Sequence, residues 1–205
     1  MNVVVDLIVG LLVGGLIGWF ARGLRIPTPE ETAPETVDGV SLVSVTDPMT
    51  GLFTRQGYRL LAARLLREAT REQRAVLLML FDIDGLKALN DRLGDAAGDE
   101  AITAAADVLR ATFRDTDLIA RLDGDEFCVM GMLPGLPSDG SAQLARLDEA
   151  IKGFNRREDA AFRLSLSGGL ATWDPIQPVS LELLEEEAGR RLYADKIERG
   201  LHSAQ

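Results

Sequence analysis

Hydrophobic positions divide the chain into one long apolar run, a polar stretch and a region of shorter alternating patterns. Val3 to Phe20 is apolar at every position except Asp6. A helix crossing a bilayer core takes roughly 20 apolar residues, with about 17 as a lower limit. The run therefore predicts a transmembrane helix, with a buried or interfacial helix as the alternative. No basic stretch precedes it and no small-x-small site follows it, which disfavours a cleaved signal peptide. Arg22 and Arg25 follow the run. The positive-inside rule then makes the chain a single-pass protein of the inner (cytoplasmic) membrane, held through residues 3–20, with its C-terminal part in the cytoplasm. Gly10, Gly14 and Gly18 line one helical face that permits close helix pairing, although glycine is common in such helices generally. Residues 1–26 are thus an expected anchor. Pro27 to Gly39 holds four acids and no base, so residues 27–40 read as an extended, solvated linker. A globular domain is expected over residues 41–205.

Within that domain helical and strand periods alternate. Tyr58, Leu61, Leu65 and Leu66 mark one face of a helix over Arg55 to Gln73. Ala75 to Phe81 is a continuous apolar run, which suits a strand buried on both faces. Helices are expected over Leu86 to Leu93 and Asp99 to Phe113. Short strands are expected over Leu118 to Leu122 and Phe127 to Met132. Asp123-Gly124 between them predicts a hairpin with a type I′ turn, which needs positive φ at both central positions. A helix over Ser141 to Phe154, a strand over Phe162 to Trp173 and a helix over Leu181 to Arg199 complete the pattern. The order α-β-α-α-β-β-α-β-α is mixed α/β with an antiparallel hairpin. It is not a doubly wound dinucleotide-binding fold, and neither a Walker A motif nor a Rossmann glycine fingerprint is present. Cys128, Val129 and Met130 read as strand packing, and Trp173 as core or rim. Glu185, Glu186 and Glu187 read as a solvated helix face, and His202 as part of a disordered tail.

Charge and composition narrow the function. The chain has 205 residues with 32 acids and 22 bases, a net charge of −10. That argues against a nucleic-acid binder, whose affinity comes mainly from Lys and Arg neutralising phosphates. A single cysteine, Cys128, excludes a disulfide within the chain and a cysteine zinc cluster. The single histidine, His202, leaves a Ser-His-Asp triad without support. The informative acids sit where strands end. Phe81-Asp82-Ile83-Asp84 closes the first buried strand, and Asp125-Glu126 follows the hairpin turn. Carboxylates at the end of apolar strands need solvent or a cation. Converging on one spot, they would suit Mg²⁺ carrying a nucleoside triphosphate. As ordinary strand-end turns they would simply be solvated. Spacing alone leaves both readings open.

At these residues the chain resembles the GGDEF domain of diguanylate cyclases. Asp47-Pro-Met-Thr-Gly-Leu-Phe-Thr-Arg55 resembles the family's opening D-x-L-T-G-L-x-N-R. Phe81-Asp-Ile-Asp-Gly-Leu-Lys-Ala-Leu-Asn-Asp91 resembles its D-x-D-x-F-K-x-x-N-D segment, and Gly94-Asp-Ala-Ala-Gly-Asp99 its G-H-x-x-G-D. Arg121-Leu-Asp-Gly-Asp-Glu-Phe127 resembles R-x-G-G-D-E-F, and Ser167-Gly-Gly-Leu-Ala171 resembles S-x-G-x-A. The match runs over about residues 45 to 200, with five motifs in order.

The resemblance implies a palm-like nucleotidyl-cyclase sandwich with a central, mostly antiparallel sheet flanked by helices. It implies condensation of two GTP into cyclic di-GMP and two pyrophosphates, at the interface of a homodimer and with Mg²⁺ (or Mn²⁺). By the same resemblance Asp82, Asp125 and Glu126 are metal ligands, assisted by the Ile83 carbonyl. Asp125 or Glu126 helps deprotonate the attacking 3′-hydroxyl. Asn90 and Asp99 read guanine, a role their donor and acceptor atoms suit. Lys87, the Gly85–Leu86 backbone and Lys196 hold phosphates. Arg114 and Asp117 have the form and offset of the family's inhibitory product site, although R-x-x-D is also a common surface ion pair. Arg146 could add a basic contact there. Four positions depart from the pattern: Asp123 stands for the first signature glycine, Asp95 for a histidine and Thr54 for an asparagine. Gly200 stands for a phosphate-binding base, with Arg199 adjacent. The Asp123 charge beside a triphosphate would oppose binding. A degenerate module that binds GTP or cyclic di-GMP and regulates a partner is therefore the alternative to a working cyclase.

Overall fold

In the computed structural model, residues 44–133, 140–157 and 161–200 are described. In chain order they form helix α1 (Arg55–Glu72), strand β1 (Val76–Ile83), helices α2 (Leu86–Leu93) and α3 (Asp95–Thr112), strands β2 (Leu118–Asp123) and β3 (Glu126–Met132), helix α4 (Ser141–Asn155), strand β4 (Leu166–Trp173) and helix α5 (Leu181–Glu198). The order is the one expected. The anchor expected over residues 1–26, the linker over 27–40 and His202 lie outside the described residues. Among the described residues no helix is long and apolar enough to cross a membrane.

The strands form one sheet in the order β2-β3-β1-β4, with every neighbouring pair antiparallel. β1 is interior and has helices on both faces, which explains its unbroken apolar run. Leu77, Met79, Phe81 and Ile83 pack toward Ile102, Ala105 and Leu109 of α3 and Leu147 of α4. Val76 and Leu78 pack with Tyr58 and Ala62 of α1 and Leu184 and Ala188 of α5. α1 starts where the Thr54 side chain accepts from the Gly57 N–H, and α5 where Ser180 accepts from Leu183. Asparagine is therefore not required at position 54, because a threonine hydroxyl serves as N-cap.

Four boundaries differ from expectation, each for a visible reason. β1 continues through Asp82 to Ile83, because Asp82 pairs with Glu126 on one side and Ile83 with Leu166 on the other. α3 begins at Asp95, with Gly94 alone, at φ 87°, making the break from α2. The last strand begins only at Leu166. Before it, Leu164 is bonded through both its N–H and its carbonyl to the Asn155 side chain. The type I′ turn does not form. Asp123 pairs with Glu126, so the turn residues are Gly124 and Asp125, and neither has positive φ. A register shift between Arg121 and Asp123 accommodates the strand twist instead.

Trp173 belongs to the core, with its indole N–H donating to the Val179 carbonyl at 3.0 Å. Of Glu185, Glu186 and Glu187 on α5 only Glu186 is exposed, and Glu187 pairs with Arg190 and Arg191. Cys128 is completely buried on β3, and burial pushes its thiol well above the usual range. A thiol held neutral and covered is unreactive. An aromatic disulfide reagent should leave Cys128 unmodified in the native protein and modify it fully in denaturant. Stoichiometric labelling within seconds under native conditions would contradict this packing.

Candidate active site

Strand pairing brings the acids of β1 and β3 to one end of the sheet. Asp82 and Glu126 are direct cross-strand partners, and the Ile83 N–H donates to the Asp125 carbonyl at 3.2 Å. The turn bearing Asp125 is buttressed by Arg121. Its Nε donates to the Gly124 carbonyl at 2.9 Å, and its Nη1 reaches the Asp47 carboxylate at 3.3 Å. Asp47 in turn holds the Thr50 N–H and hydroxyl, so the opening motif props the signature turn.

Asp82, Glu126 and Asp84 each have a cationic neighbour. Asp82 is buried, and the Lys196 ammonium of α5 sits 2.7 Å from its Oδ2. Burial raises the Asp82 carboxyl above its ordinary range. The hydrogen bond from Lys196 opposes that rise, and the charges of Asp125 and Glu126 add to it. Glu126 lies 3.3 Å from Arg55 Nη2, while Arg55 Nε donates to the Leu122 carbonyl. Asp84, also buried at its side chain, accepts from the Ser165 and Ser167 hydroxyls, and Arg199 Nη1 lies 3.6 Å away. Arg199 Nε donates to Asp195, which accepts the Gly168 N–H. Arg199, adjacent to Gly200, thus supplies a guanidinium at this sheet end. A cavity of about 290 Å³ opens beside these pairs, bordered by Arg55, Asp82, Glu126, Glu185 and Lys196.

Donor chemistry at this end fits a hard divalent cation, since it offers carboxylate oxygens on two adjoining strands and no thiolate or imidazole. As placed, no three ligating side chains converge into a metal-sized cluster among the described residues. The acids are together at one sheet end, but Lys196 and Arg55 partner two of them.

The remaining expected residues surround this centre. α2 starts at Gly85, whose φ of 71° is strained for any other residue. The N–H groups of Leu86 and Lys87 open this eight-residue helix, a position suited to phosphate oxygens. Asn90 on α2 packs against α3 so closely that a Cβ at Gly98 would stand 1.9 Å from its Oδ1. That Oδ1 is buried and has no hydrogen-bond partner. Asp99, one residue beyond Gly98, is exposed on the same edge. A buried acceptor without a donor costs about 1–3 kcal/mol, so a ligand donor is the natural complement.

The R-x-x-D segment is not a surface ion pair. Asp117 Oδ2 accepts from the Arg114 backbone N–H at 3.0 Å, and its carboxylate packs on Gly131, where a Cβ would come within 2.4 Å. Arg114, Asp117, Gln143 and Arg146 border a small hollow of about 30 Å³, and Gln143 Oε1 is buried without a hydrogen-bond partner. Arg55, Asp84, Ser167, Asp195 and Gln143 were not among the residues singled out for roles from sequence. Asp84 was visible as the second acid of the strand-end pair, whereas the others become partners only through the fold.

A sheet of this order with helices on both faces, acids at the β1–β3 end and a helix N-terminus beside them defines a palm-like nucleotide-handling domain. The family model described as diguanylate cyclase, GGDEF domain matches residues 44–200, and the chain belongs to that family. Among curated relatives, the probable diguanylate cyclase DgcC of Escherichia coli K12 is 31% identical over 137 residues, covering 66% of this chain and 36% of the relative. Diguanylate cyclase DgcS of Shewanella oneidensis is 29% identical over 158 residues, 77% of this chain and 51% of the relative. The chain therefore spans between about a third and a half of the length of these relatives. Among solved structures, the GGDEF domain of TpbB (YfiN) from Pseudomonas aeruginosa superposes with a TM-score of 0.65 at 31% identity, over 75% of this chain and 89% of that one. The GGDEF domain of DgcB from Caulobacter crescentus, solved in complex with c-di-GMP, gives a TM-score of 0.65 at 25% identity, over 78% and 94%.

Proposed function

We propose that this chain is a diguanylate cyclase that condenses two GTP into cyclic di-GMP and two pyrophosphates. The observation that carries the proposal is the gathering of Asp82, Asp125 and Glu126 at the β1–β3 end, with Lys196 in the last turn of α5 and Arg199 just beyond it. In this reading Asn90 Oδ1, buried and unpartnered, accepts from the guanine edge, and Asp99 accepts from the neighbouring N–H group. Lys87 and the Gly85–Leu86 backbone hold the terminal phosphates. Asp82, Asp125 and Glu126, with the Ile83 carbonyl, would hold Mg²⁺ or Mn²⁺. When bound, that ion supplies charge neutralisation and Lewis acidity at the phosphates. The 3′-oxygen of one GTP bonds to the α-phosphorus of the other. The bond from that phosphorus to the pyrophosphate oxygen breaks, and Asp125 or Glu126 takes the hydroxyl proton. Two loaded domains must face each other, so the active species is a homodimer.

Membrane attachment through residues 3–20, with the catalytic domain on the cytoplasmic side of the inner membrane, belongs to the same proposal. Its support is the apolar run and the Arg22 and Arg25 that follow it. Paired anchors would hold two tethered domains at an effective concentration on the order of millimolar. Asp123 is exposed and bonds locally to the Gly124 N–H, so solvent screens its charge, which favours turnover over a degenerate module. Incubating the purified full-length chain with GTP and Mg²⁺, then separating the nucleotides, tests this. Cyclic di-GMP appearing with pyrophosphate at one to two supports the cyclase. GTP binding without product points to the regulatory module instead.

The Arg114–Asp117 corner is proposed as a product site that restrains the enzyme. Arg114→Ala should leave the initial rate within about twofold and abolish inhibition by added cyclic di-GMP, read as initial rate against product concentration. Unaltered inhibition in the variant would assign the corner a structural role only.

A further inference from the structure

We propose that Lys196 is an internal counter-ion competing with divalent metal for Asp82, so that metal binds this domain strongly only together with a triphosphate. The inference rests on the cyclase reading above and concerns the order in which its site fills.

The Lys196–Asp82 pair is not a surface contact. Its side chains are 16% and 8% exposed, and Nζ lies 2.7 Å from Oδ2. The other cations nearby are engaged elsewhere: Arg55 with Glu126 and the Leu122 carbonyl, and Arg199 with Asp195 and Asp84. Lys196 is thus the cation that neutralises the buried carboxylate. A dication ligated by Asp82 would be brought close to this ammonium, and like charges at that range in a partly buried site repel strongly. Metal alone must therefore displace Lys196, and it offers the displaced ammonium no partner.

A metal–triphosphate complex does offer one. It brings anionic oxygens with the dication, and the flexible four-carbon lysine stem can transfer Nζ from carboxylate to phosphate. Lys196 lies in the last turn of α5, where the helix dipole favours a cation before and after the transfer. Metal and nucleotide affinities are then coupled through one side chain, and such coupling is reciprocal.

Binding of Mn²⁺ to the full-length protein, read from the free-ion electron paramagnetic resonance signal, tests the idea without turnover. It is measured with and without a GTP analogue carrying a methylene between the α- and β-phosphorus atoms. In wild type the analogue should tighten Mn²⁺ binding by about tenfold or more. Lys196→Met should tighten Mn²⁺ binding without analogue by about tenfold and shrink the analogue's effect correspondingly. Lys196→Arg, which keeps the charge, should behave like wild type, and circular dichroism should show all three proteins folded. Equal Mn²⁺ affinity of wild type and Lys196→Met without analogue, with analogue-dependent binding in both, overturns the counter-ion role and leaves the cyclase reading standing. Mn²⁺ binding to neither protein under any condition overturns both.

Discussion

Asp125→Ala should reduce cyclic di-GMP formation by about three orders of magnitude, equivalent to about 4 kcal/mol of transition-state stabilisation. The same change should leave the thermal midpoint within about 2 °C of wild type, because surface substitutions typically stay within about 0.5 kcal/mol. Both halves follow from where Asp125 sits. Its structural contribution is a backbone carbonyl that accepts from the Ile83 N–H, and alanine keeps that carbonyl. The residue is partly exposed at the turn tip, and its side chain has no hydrogen bond among the described residues that the fold would lose. Asp82→Ala should behave differently. It removes the partner of a largely buried ammonium as well as a proposed metal ligand, so activity and stability should fall together. Activity is measured by product chromatography and stability by thermal unfolding. Wild-type output from Asp125→Ala would refute the assignment of this sheet end as the active site.

The order of elements was legible because each carries a local signature. β1 is an apolar run since two strands and two helical layers cover it, and α1 shows one apolar stripe since only one face packs. The boundaries were less legible where tertiary pairing overrides a local preference. Asp82 reads locally as the end of a strand, yet Glu126 and Ser167 on either side carry the ladder through it. Asp123-Gly124 reads locally as a type I′ turn. The pairing of Asp123 with Glu126 displaces the turn by one residue. The motif acids could be picked out as a pattern, but their electrostatic partners could not. Lys196 and Arg55 are far from Asp82 and Glu126 in sequence, and nothing local marks either cation as a counter-ion. The orphaned Asn90 Oδ1 also needed the fold, because it depends on how closely α2 crosses α3 at Gly98.

The site's second half depends on how tightly α5 lies on the sheet, and one glycine controls that distance. Gly169 of β4 pairs with Leu80 and faces α5. A Cβ there would stand 2.1 Å from the Ala188 carbonyl oxygen, 2.2 Å from the Leu192 nitrogen and 2.8 Å from the Leu192 Cα. All three are backbone atoms, so no side-chain rotation relieves the clash. Gly169→Ala must push the helix outward, at a cost of about 3 kcal/mol, the upper end of ordinary overpacking. For a chain of this size that corresponds to a midpoint lower by roughly 6–12 °C. The displacement also carries Lys196 away from Asp82 and Arg199 away from Asp84, so turnover should fall even where the variant is fully folded. Gly189→Ala is the control on the same helix. A Cβ there meets nothing within 4 Å, and alanine in a helix interior is favoured over glycine by about 1 kcal/mol. It should raise the midpoint by a few degrees, about 2–4 °C. Thermal unfolding of both variants, followed by far-ultraviolet circular dichroism, checks the pair. A Gly169→Ala midpoint equal to wild type would mean that α5 does not rest on β4 through its backbone. The rigid placement of Lys196 against the acids would then lack its physical basis.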